Sequence, residues 1–227
     1  MALKQNFPEM YISGQKVTAD EFDQDLTYTV INPDVGTARL GTATVTGDGL
    51  GTLVGPGIFT DFPRAVSLSI LGVAGGMGGT ATVTGKDQFG NSISESIGFA
   101  TAAGGGTALG TKVFSRIGTV TATIAGLGGT AIGSIYLGYS TTAENAAMVV
   151  GLPVRIGAAS DLKRVTWHDA GVSKAISVGT GGTIGTAVAG TAMSSVTLTG
   201  LAGFATADSY TFVYRSSFNA EAQVFNT

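Results

Sequence analysis

The sequence predicts an all-β protein, a β-sandwich of the Ig-like or jelly-roll-like kind, with an N-terminal arm and little helix. Three features of the 227-residue chain lead to this fold class. Apolar and polar residues alternate with a period of two along many short segments, and β-branched or aromatic residues dominate them. Gly-rich breaks separate these segments at intervals of roughly 8–12 residues, as in sandwiches and barrels.

The predicted strands follow the alternation along the whole chain. In the first two thirds they cover residues 26–31, 42–46, 65–71, 80–84, 92–99, 119–125 and 132–139. The last third adds residues 148–156, 172–178, 195–199 and 210–215. Residues 179–193 are almost wholly Gly, Thr and Ala, and this composition predicts a long flexible loop.

Helix is predicted at one place, with an open alternative. Thr18 and Glu21 have the spacing of a capping box, which would start a short helix over residues 19–25. The same stretch also fits a solvated acidic loop.

Three regions follow from composition. Residues 1–39 are acid-rich with few turn signals and are interpreted as an arm or docking segment. Residues 40–142 are predicted to form one β-sandwich. Residues 143–227 either complete that sandwich or form a second small β lobe.

The chain is unusually poor in charge. Only 12% of its residues are charged, with 12 Lys and Arg against 15 Asp and Glu, and Gly accounts for 36 residues. Because charge keeps apolar surface dispersed in water, we expect other subunits to cover much of this surface. No apolar run of about 18 residues predicts a membrane-spanning helix, and the first residues do not resemble a secretory signal.

Charge is also spread unevenly. Residues 1–61 hold eight acidic residues against three basic ones, a net of −5, while the other 166 residues have a net of +2. A protein that binds nucleic acid neutralises phosphates with a basic face, and no such face is predicted. We therefore expect neither a nucleic acid nor a membrane among its partners.

Nucleophilic catalysis is not expected. The only histidine is His168, beside Trp167, and without a Gly-x-Ser-x-Gly elbow it is interpreted as a packing or surface residue. Ser160 and Lys163 match the Ser-x-x-Lys pattern of penicillin-binding enzymes, but its companion motifs are missing. The sequence therefore predicts no enzyme and no catalytic residues.

Cofactor and metal sites are not expected either. Residues 126–131 fit a dinucleotide-binding pattern, but a strand follows where the phosphate-binding helix should begin, and the chain has no Cys. The acidic residues do not have the spacing of a calcium loop, so they are interpreted as a solvated patch or one that faces a basic partner; they are Asp20, Glu21, Asp23 and Asp25. Tyr210, Phe212 and Tyr214 alternate, so that two of them point one way, and indicate a core face before a sugar-binding platform.

One stretch carries a family resemblance. Val83-Thr84-Gly85-Lys86-Asp87-Gln88-Phe89-Gly90-Asn91, then Ser94-Glu95-Ser96-Ile97, and then Gly110-Thr111-Lys112-Val113-Phe114-Ser115-Arg116-Ile117 follow one another. This pattern resembles β-rich structural proteins of tailed bacteriophages. Physically it predicts a hairpin in which Asp87 and Asn91 bind nearby backbone and Gly90 adopts positive φ.

The resemblance implies a virion component made in the host cytoplasm, with no catalytic residues. Size and composition then favour a capsid decoration, or cement, protein bound outside the shell, as a homodimer or homotrimer, to the major capsid protein. A tail-tube or baseplate protein, or a head-fibre or adhesin module that binds a host surface, is the alternative. Cementing is expected to depend on buried apolar area and on strand addition, by residues 26–31, to a neighbouring sheet edge.

Overall fold

The computed structural model describes residues 10–12, 15–17, 24–31, 36–45, 49–54, 57–71, 78–100, 105–125, 133–139, 147–179, 186–190, 194–200, 205 and 207–216. Within these ranges the chain is nearly all strand, which confirms the predicted all-β class. The one helical element among them is a single 3-10 turn, Ala159–Asp161. No helix in this part of the chain is long and apolar enough to cross a membrane.

The described residues contain eighteen strands, which are numbered in chain order. The first nine are β1 (Met10–Ile12), β2 (Gln15–Val17), β3 (Gln24–Ile31), β4 (Gly36–Val45), β5 (Gly49–Val54), β6 (Ile58–Arg64), β7 (Ser67–Leu71), β8 (Gly78–Lys86) and β9 (Ser92–Ala100). The others are β10 (Gly105–Leu109), β11 (Phe114–Ala125), β12 (Gly133–Tyr139), β13 (Ala147–Gly151), β14 (Leu162–Asp169), β15 (Val172–Val178), β16 (Thr186–Ala189), β17 (Ser195–Thr199) and β18 (Ser209–Ser216).

The strands form three sheets. β1 and β2 make a two-stranded sheet, and four strands pair in the order β10-β7-β12-β4. The large sheet has the order β3-β18-β14-β15-β16-β17-β13-β6-β11-β8-β9, and β5 also pairs with β11. The pairing of β15 with β16 is parallel, and the other described pairings are antiparallel.

Two large hydrophobic cores result. The first lies between the four-stranded sheet and strands β8, β9 and β11 of the large sheet, where Leu68 and Leu137 pack with Val83 and Phe114. This face-to-face arrangement is sandwich-like, as predicted. The second core is formed mainly by β3, β13, β14, β15, β17 and β18, with Trp167 and Phe212 among its members. The division of the chain into three regions, with boundaries at residues 39 and 142, stays a prediction.

Part of the predicted arm belongs to the sheet. β3 pairs with β18 along its whole length, and Val30 is buried in the second core. Leu26 and Tyr28 pack against the same core, because alternate residues of a strand share one face. Residues 18–23, and with them most of the predicted helix or acidic loop, lie outside the described residues.

Several sequence predictions of local structure need correction. The strand predicted over residues 148–156 ends at Gly151, and residues 65–66 precede β7 rather than beginning it. The loop predicted over residues 179–193 contains β16, which pairs on both sides. Small residues tolerate loops and strands alike, so pairing with neighbours decides between them.

β6 is the most consequential strand that the sequence did not predict. It contains Asp61 and Pro63, residue types that are uncommon in strands and common in turns. β6 nevertheless pairs with β11, and its last residue, Arg64, also pairs with Val150 of β13. It therefore connects the part of the large sheet that covers the first core to the part that forms the second.

The alternating aromatics of β18 are core residues, as the sequence indicated. Tyr210, Phe212 and Tyr214 are all buried in the second core. All three share one face, one more than predicted, because positions i, i+2 and i+4 of a strand point the same way. They form no exposed platform for a sugar.

Candidate functional site

The hairpin with the phage-like motif joins β8 to β9. Asp87 Oδ1 accepts hydrogen bonds from the backbone N–H groups of Phe89, at 2.9 Å, and Asn91, at 2.8 Å. Asn91 Nδ2 donates to Asp87 Oδ2 at 3.1 Å, and Gly90 has φ +85°. The bonds predicted from Asp87 to nearby backbone and the positive φ of Gly90 are confirmed, whereas the Asn91 side chain binds the Asp87 carboxylate rather than backbone.

Glu95 is a buried carboxylate in the returning strand β9. Its Oε1 accepts from the backbone N–H of Thr111, at 2.6 Å, and from the Thr111 hydroxyl, at 2.9 Å. Its Oε2 accepts from the backbone N–H of Lys112 at 3.1 Å. A methyl group on Gly110 would lie 2.7 Å from Glu95 Oε2, so the close approach favours glycine there. Two separate parts of the motif are thus one hydrogen-bonded unit.

Further bonds fix this hairpin to its surroundings. Lys112 Nζ donates to the Ser94 carbonyl at 2.7 Å, and the Ser115 hydroxyl donates to the Asp87 carbonyl. Gln88 Nε2 donates to the carbonyl of Ser194, just before β17, at 2.7 Å. The hydrogen bonds of these motif residues therefore hold the hairpin against the neighbouring strands and loops.

His168 lies on β14, opposite Ser173 of β15. The His168 Nδ1 atom and the Ser173 hydroxyl are 2.8 Å apart at an exposed position, whereas Trp167 is buried. The neighbouring Asp169 is bound by Lys174 at 2.6 Å, and among the described residues no carboxylate hydrogen-bonds to His168. A triad needs an acid that orients the histidine, and this contact is missing from the arrangement described.

The Ser-x-x-Lys match lies at the 3-10 turn. Lys163 Nζ donates to the backbone carbonyl of Ser160 at 2.7 Å rather than meeting its hydroxyl. Asp161 Oδ2 accepts from the backbone N–H of Ala158 at 2.8 Å. These contacts stabilise the turn before β14, and none of them activates Ser160 as a nucleophile.

Of the four candidate acidic ligands, one lies in the described part of the chain. Asp25 forms an exposed contact with Arg215 Nε at 3.4 Å. Asp20, Glu21 and Asp23 lie outside the described residues. Within the described ranges no three His, Asp or Glu residues gather as a metal site would require. Residues 126–131, the dinucleotide-like pattern, are also outside them, and the strand β12 follows.

A buried cation joins the two cores, and sequence reasoning missed it. Arg64 is 2% exposed; its guanidinium lies 3.8 Å from the ring centre of Tyr139 and 4.6 Å from that of Phe62. Its Nη1 is 3.1 Å from Asp61 Oδ2. Tyr139 belongs to the first core, and Phe62 packs against the second. Its burial depends on contacts distant in sequence, so no local signal reveals it.

Tyrosines in the second core have raised pKa values. Burial raises the pKa of Tyr210, and the nearby Asp208, which accepts its hydroxyl at 3.2 Å, raises it further. Burial, with a smaller contribution from Tyr28, raises the pKa of Tyr214 to about 12. Each hydroxyl therefore stays neutral well above the pH at which an exposed tyrosine ionises.

Two open clefts flank the β8–β9 hairpin. The first has a volume of about 530 Å³ and is lined by Lys86, Arg116 and Gly57 among others. The second, of about 470 Å³, is lined by Lys112, Arg155 and the polar residues Thr111, Ser194 and Ser195 among others. Each cleft thus presents two cations, a grouping that sequence reasoning missed because it depends on strand register.

The large sheet ends at β3 on one side. β3 has eight residues and pairs with β18, and among the described strands no second neighbour pairs with it. Asp25, Thr27 and Thr29 are exposed, whereas Val30 is buried. Along one edge of β3, the backbone N–H and C=O groups therefore pair with no other strand in the described part of the chain.

No protein-family model and no curated protein matches this chain. Two solved structures that match it are those of infectious bursal disease virus, strains Gx and Gt, each 14% identical. The matches cover 91% and 96% of this chain but 43% and 48% of theirs, with TM-scores of 0.24 and 0.26. This chain therefore spans less than half of those chains. A likeness this weak carries no functional argument, so function is argued from the contacts above.

Proposed function

We propose that the chain is a non-enzymatic virion structural protein. It binds the outside of a phage capsid, as a homodimer or homotrimer, and stabilises joints between subunits of the major capsid protein. The phage-like motif and the shortage of charge support this role. The carboxylates of the motif, Asp87 and Glu95, are occupied by backbone donors, as suits a structural part rather than a reacting one.

The observation that carries the proposal is the edge of β3 that no described strand pairs with. A long edge strand without a neighbour is a template for another strand, and natural proteins usually protect such edges. β3 carries one charged residue, Asp25, at its start, and no proline or lysine along its length. In this proposal, β3 adds to the sheet of a neighbouring subunit through main-chain hydrogen bonds.

A charge placed on β3 tests this contact. Thr29→Lys puts a cation on the exposed face of the edge strand, where lysine discourages strand addition. Thr211→Lys is the matched control, because Thr211 lies directly opposite on β18, with the two hydroxyls 3.4 Å apart. We expect Thr29→Lys to weaken binding to capsids made without this chain by about tenfold or more, near 1.4 kcal/mol, and Thr211→Lys to have little effect.

Co-sedimentation with such capsids measures the binding, and the temperature at which the shell disrupts measures the stabilisation. Capsids that gain neither bound protein nor heat resistance from the wild-type chain would contradict the proposal. Binding to tails or host cells instead would favour the tail or adhesin alternative. Equal effects of the two lysine variants would remove β3 from the contact.

A further inference from the structure

Four cations surround the β8–β9 hairpin. Lys86 and Arg116 are direct cross-strand partners on β8 and β11, are both exposed, and line one cleft. Lys112 and Arg155 line the cleft on the other side. These four residues, Lys86, Lys112, Arg116 and Arg155, are called the basic surface below. They are a third of the 12 basic residues of the chain.

None of the four forms an ion pair within the described structure. Lys86 Nζ instead donates to the Gly90 carbonyl at 3.0 Å, and Lys112 Nζ donates to the carbonyl of Ser94. The nearby carboxylates, Asp87 and Glu95, are bound by their own turns. The surface thus has four cations near two carboxylates that already accept hydrogen bonds within their own turns. Its net charge is therefore positive and can bind an acidic partner.

Two further features suit a docked polypeptide. Phe59, the cross-strand partner of Arg116 on β6, is 70% exposed, and the Arg116 guanidinium lies 5.1 Å from its ring centre. In the second cleft, the Arg155 guanidinium lies 5.4 Å from the ring centre of Phe89. An exposed aromatic ring beside cations favours a ligand that combines carboxylates with an apolar side chain.

The chain itself contains such a ligand. Asp20-Glu21-Phe22-Asp23 places three carboxylates and one aromatic ring in four consecutive residues. This segment lies within the acidic first quarter of the chain, where residues 1–61 have a net charge of −5. Opposite charge gives an interface specificity and a faster association rate.

We propose that the basic surface of one copy docks residues 20–23 of a second copy. This inference rests on the proposed function, because it supplies a contact by which copies of a structural subunit recognise one another. It adds a charge-directed contact between copies to the strand addition of β3.

A charge swap in the full-length chain tests the docking. Lys86→Glu/Arg116→Glu makes the surface repel the acidic segment, and Asp20→Lys/Asp23→Lys makes the segment repel the surface. We expect each double variant to weaken self-association by about tenfold or more in sedimentation equilibrium. An equimolar mixture of the two variants should associate again. In a pair made of one copy of each variant, the surface of each copy faces an oppositely charged segment of the other copy. Higher salt should weaken the wild-type association.

Arg164→Glu is the control, since it reverses an exposed cation on a different strand, β14, and keeps the Lys163 contacts that stabilise the 3-10 turn. The inference is overturned if this control weakens association equally, if the mixture stays dissociated, or if the wild type remains monomeric at every concentration. It is also overturned if Lys86→Glu/Arg116→Glu loses capsid binding with unchanged self-association, which would assign the surface to a different acidic protein.

Capsid co-sedimentation of the same samples separates this inference from the proposed function. Loss of self-association in the swap variants, with restoration in the mixture, supports the docking even if the wild type fails to bind capsids. Wild-type binding to capsids supports the proposed function even if the mixture stays dissociated.

Discussion

Asp87 and Glu95 show how single residues of the motif hold the fold together. Each carboxylate accepts at least two backbone N–H groups that strand pairing leaves without a partner. A hydrogen bond to a charged acceptor contributes more than a neutral one, and a donor left without a partner is costly when buried. At the residue scale, the motif therefore stabilises the fold through hydrogen bonds to charged carboxylates.

Glu95→Gln should lower the free energy of unfolding by about 2 kcal/mol, because an amide cannot accept all three bonds with a full negative charge. Ser94→Ala, an exposed neighbour on the same strand, is the control and should change stability by less than about 0.5 kcal/mol. Urea denaturation measures both. Equal stabilities of the two variants would show that the Glu95 bonds are not a main source of stability.

The raised pKa of Tyr214 predicts how the free energy of unfolding changes at alkaline pH. Its pKa rises from 10.0 to about 12 on folding, so the unfolded chain loses this proton first. The stability that this group contributes is complete below pH 10 and is lost as the pH rises from about 10 to 12, on the order of 2 kcal/mol in all. Tyr214→Phe should therefore show a shallower decline of unfolding free energy over that range. Identical pH profiles of variant and wild type would contradict this account.

At the scale of elements, β8 shows why glycine is needed where strands approach closely. A methyl group at Gly85 would overlap the backbone carbonyl oxygen of Arg116 on β11 and lie 2.9 Å from the Phe114 ring. At Gly98 on the neighbouring strand β9, nothing lies within 4 Å of the same position. Two glycines in one sheet thus have different roles.

Gly85→Ala should destabilise the protein by about 2–3 kcal/mol, since overpacking against a backbone atom forces β8 and β11 apart. Gly98→Ala should be neutral or slightly stabilising, because alanine restricts the unfolded chain and the site has room. Thermal unfolding of both variants gives the comparison. If Gly85→Ala is no less stable than Gly98→Ala, the close approach of β8 and β11 is not as described.

At the scale of the whole molecule, the Arg64 side chain contacts residues of both cores. Its guanidinium stacks on Tyr139 of the first core and on Phe62 at the second, and its charge offsets part of the rise that burial and Asp208 cause in the pKa of Tyr210. A planar guanidinium can stack on two rings, whereas the compact ammonium of lysine cannot reproduce that geometry. The cooperativity between the cores should depend on this side chain.

Arg64→Lys should therefore lower the free energy of unfolding by about 2 kcal/mol and separate the melting of the two cores in calorimetry. Arg164→Lys, at an exposed position of β14, is the control and should melt like the wild type. A single unshifted transition in Arg64→Lys would show that other contacts couple the cores.

Local chemistry determined what the sequence alone could predict. The all-β class follows from alternation along each strand, and the Asp87–Asn91 turn follows from bonds between residues at most four apart. β6 was missed because Asp61 and Pro63 signal a turn locally, and β16 because its small residues signal a loop. The tertiary structure alone decided three features: the burial of Arg64, the position of β3 at an edge that no described strand pairs with, and the pairing of Lys86 with Arg116. Each depends on register and on contacts between residues far apart in the chain, which alternation within a segment does not specify.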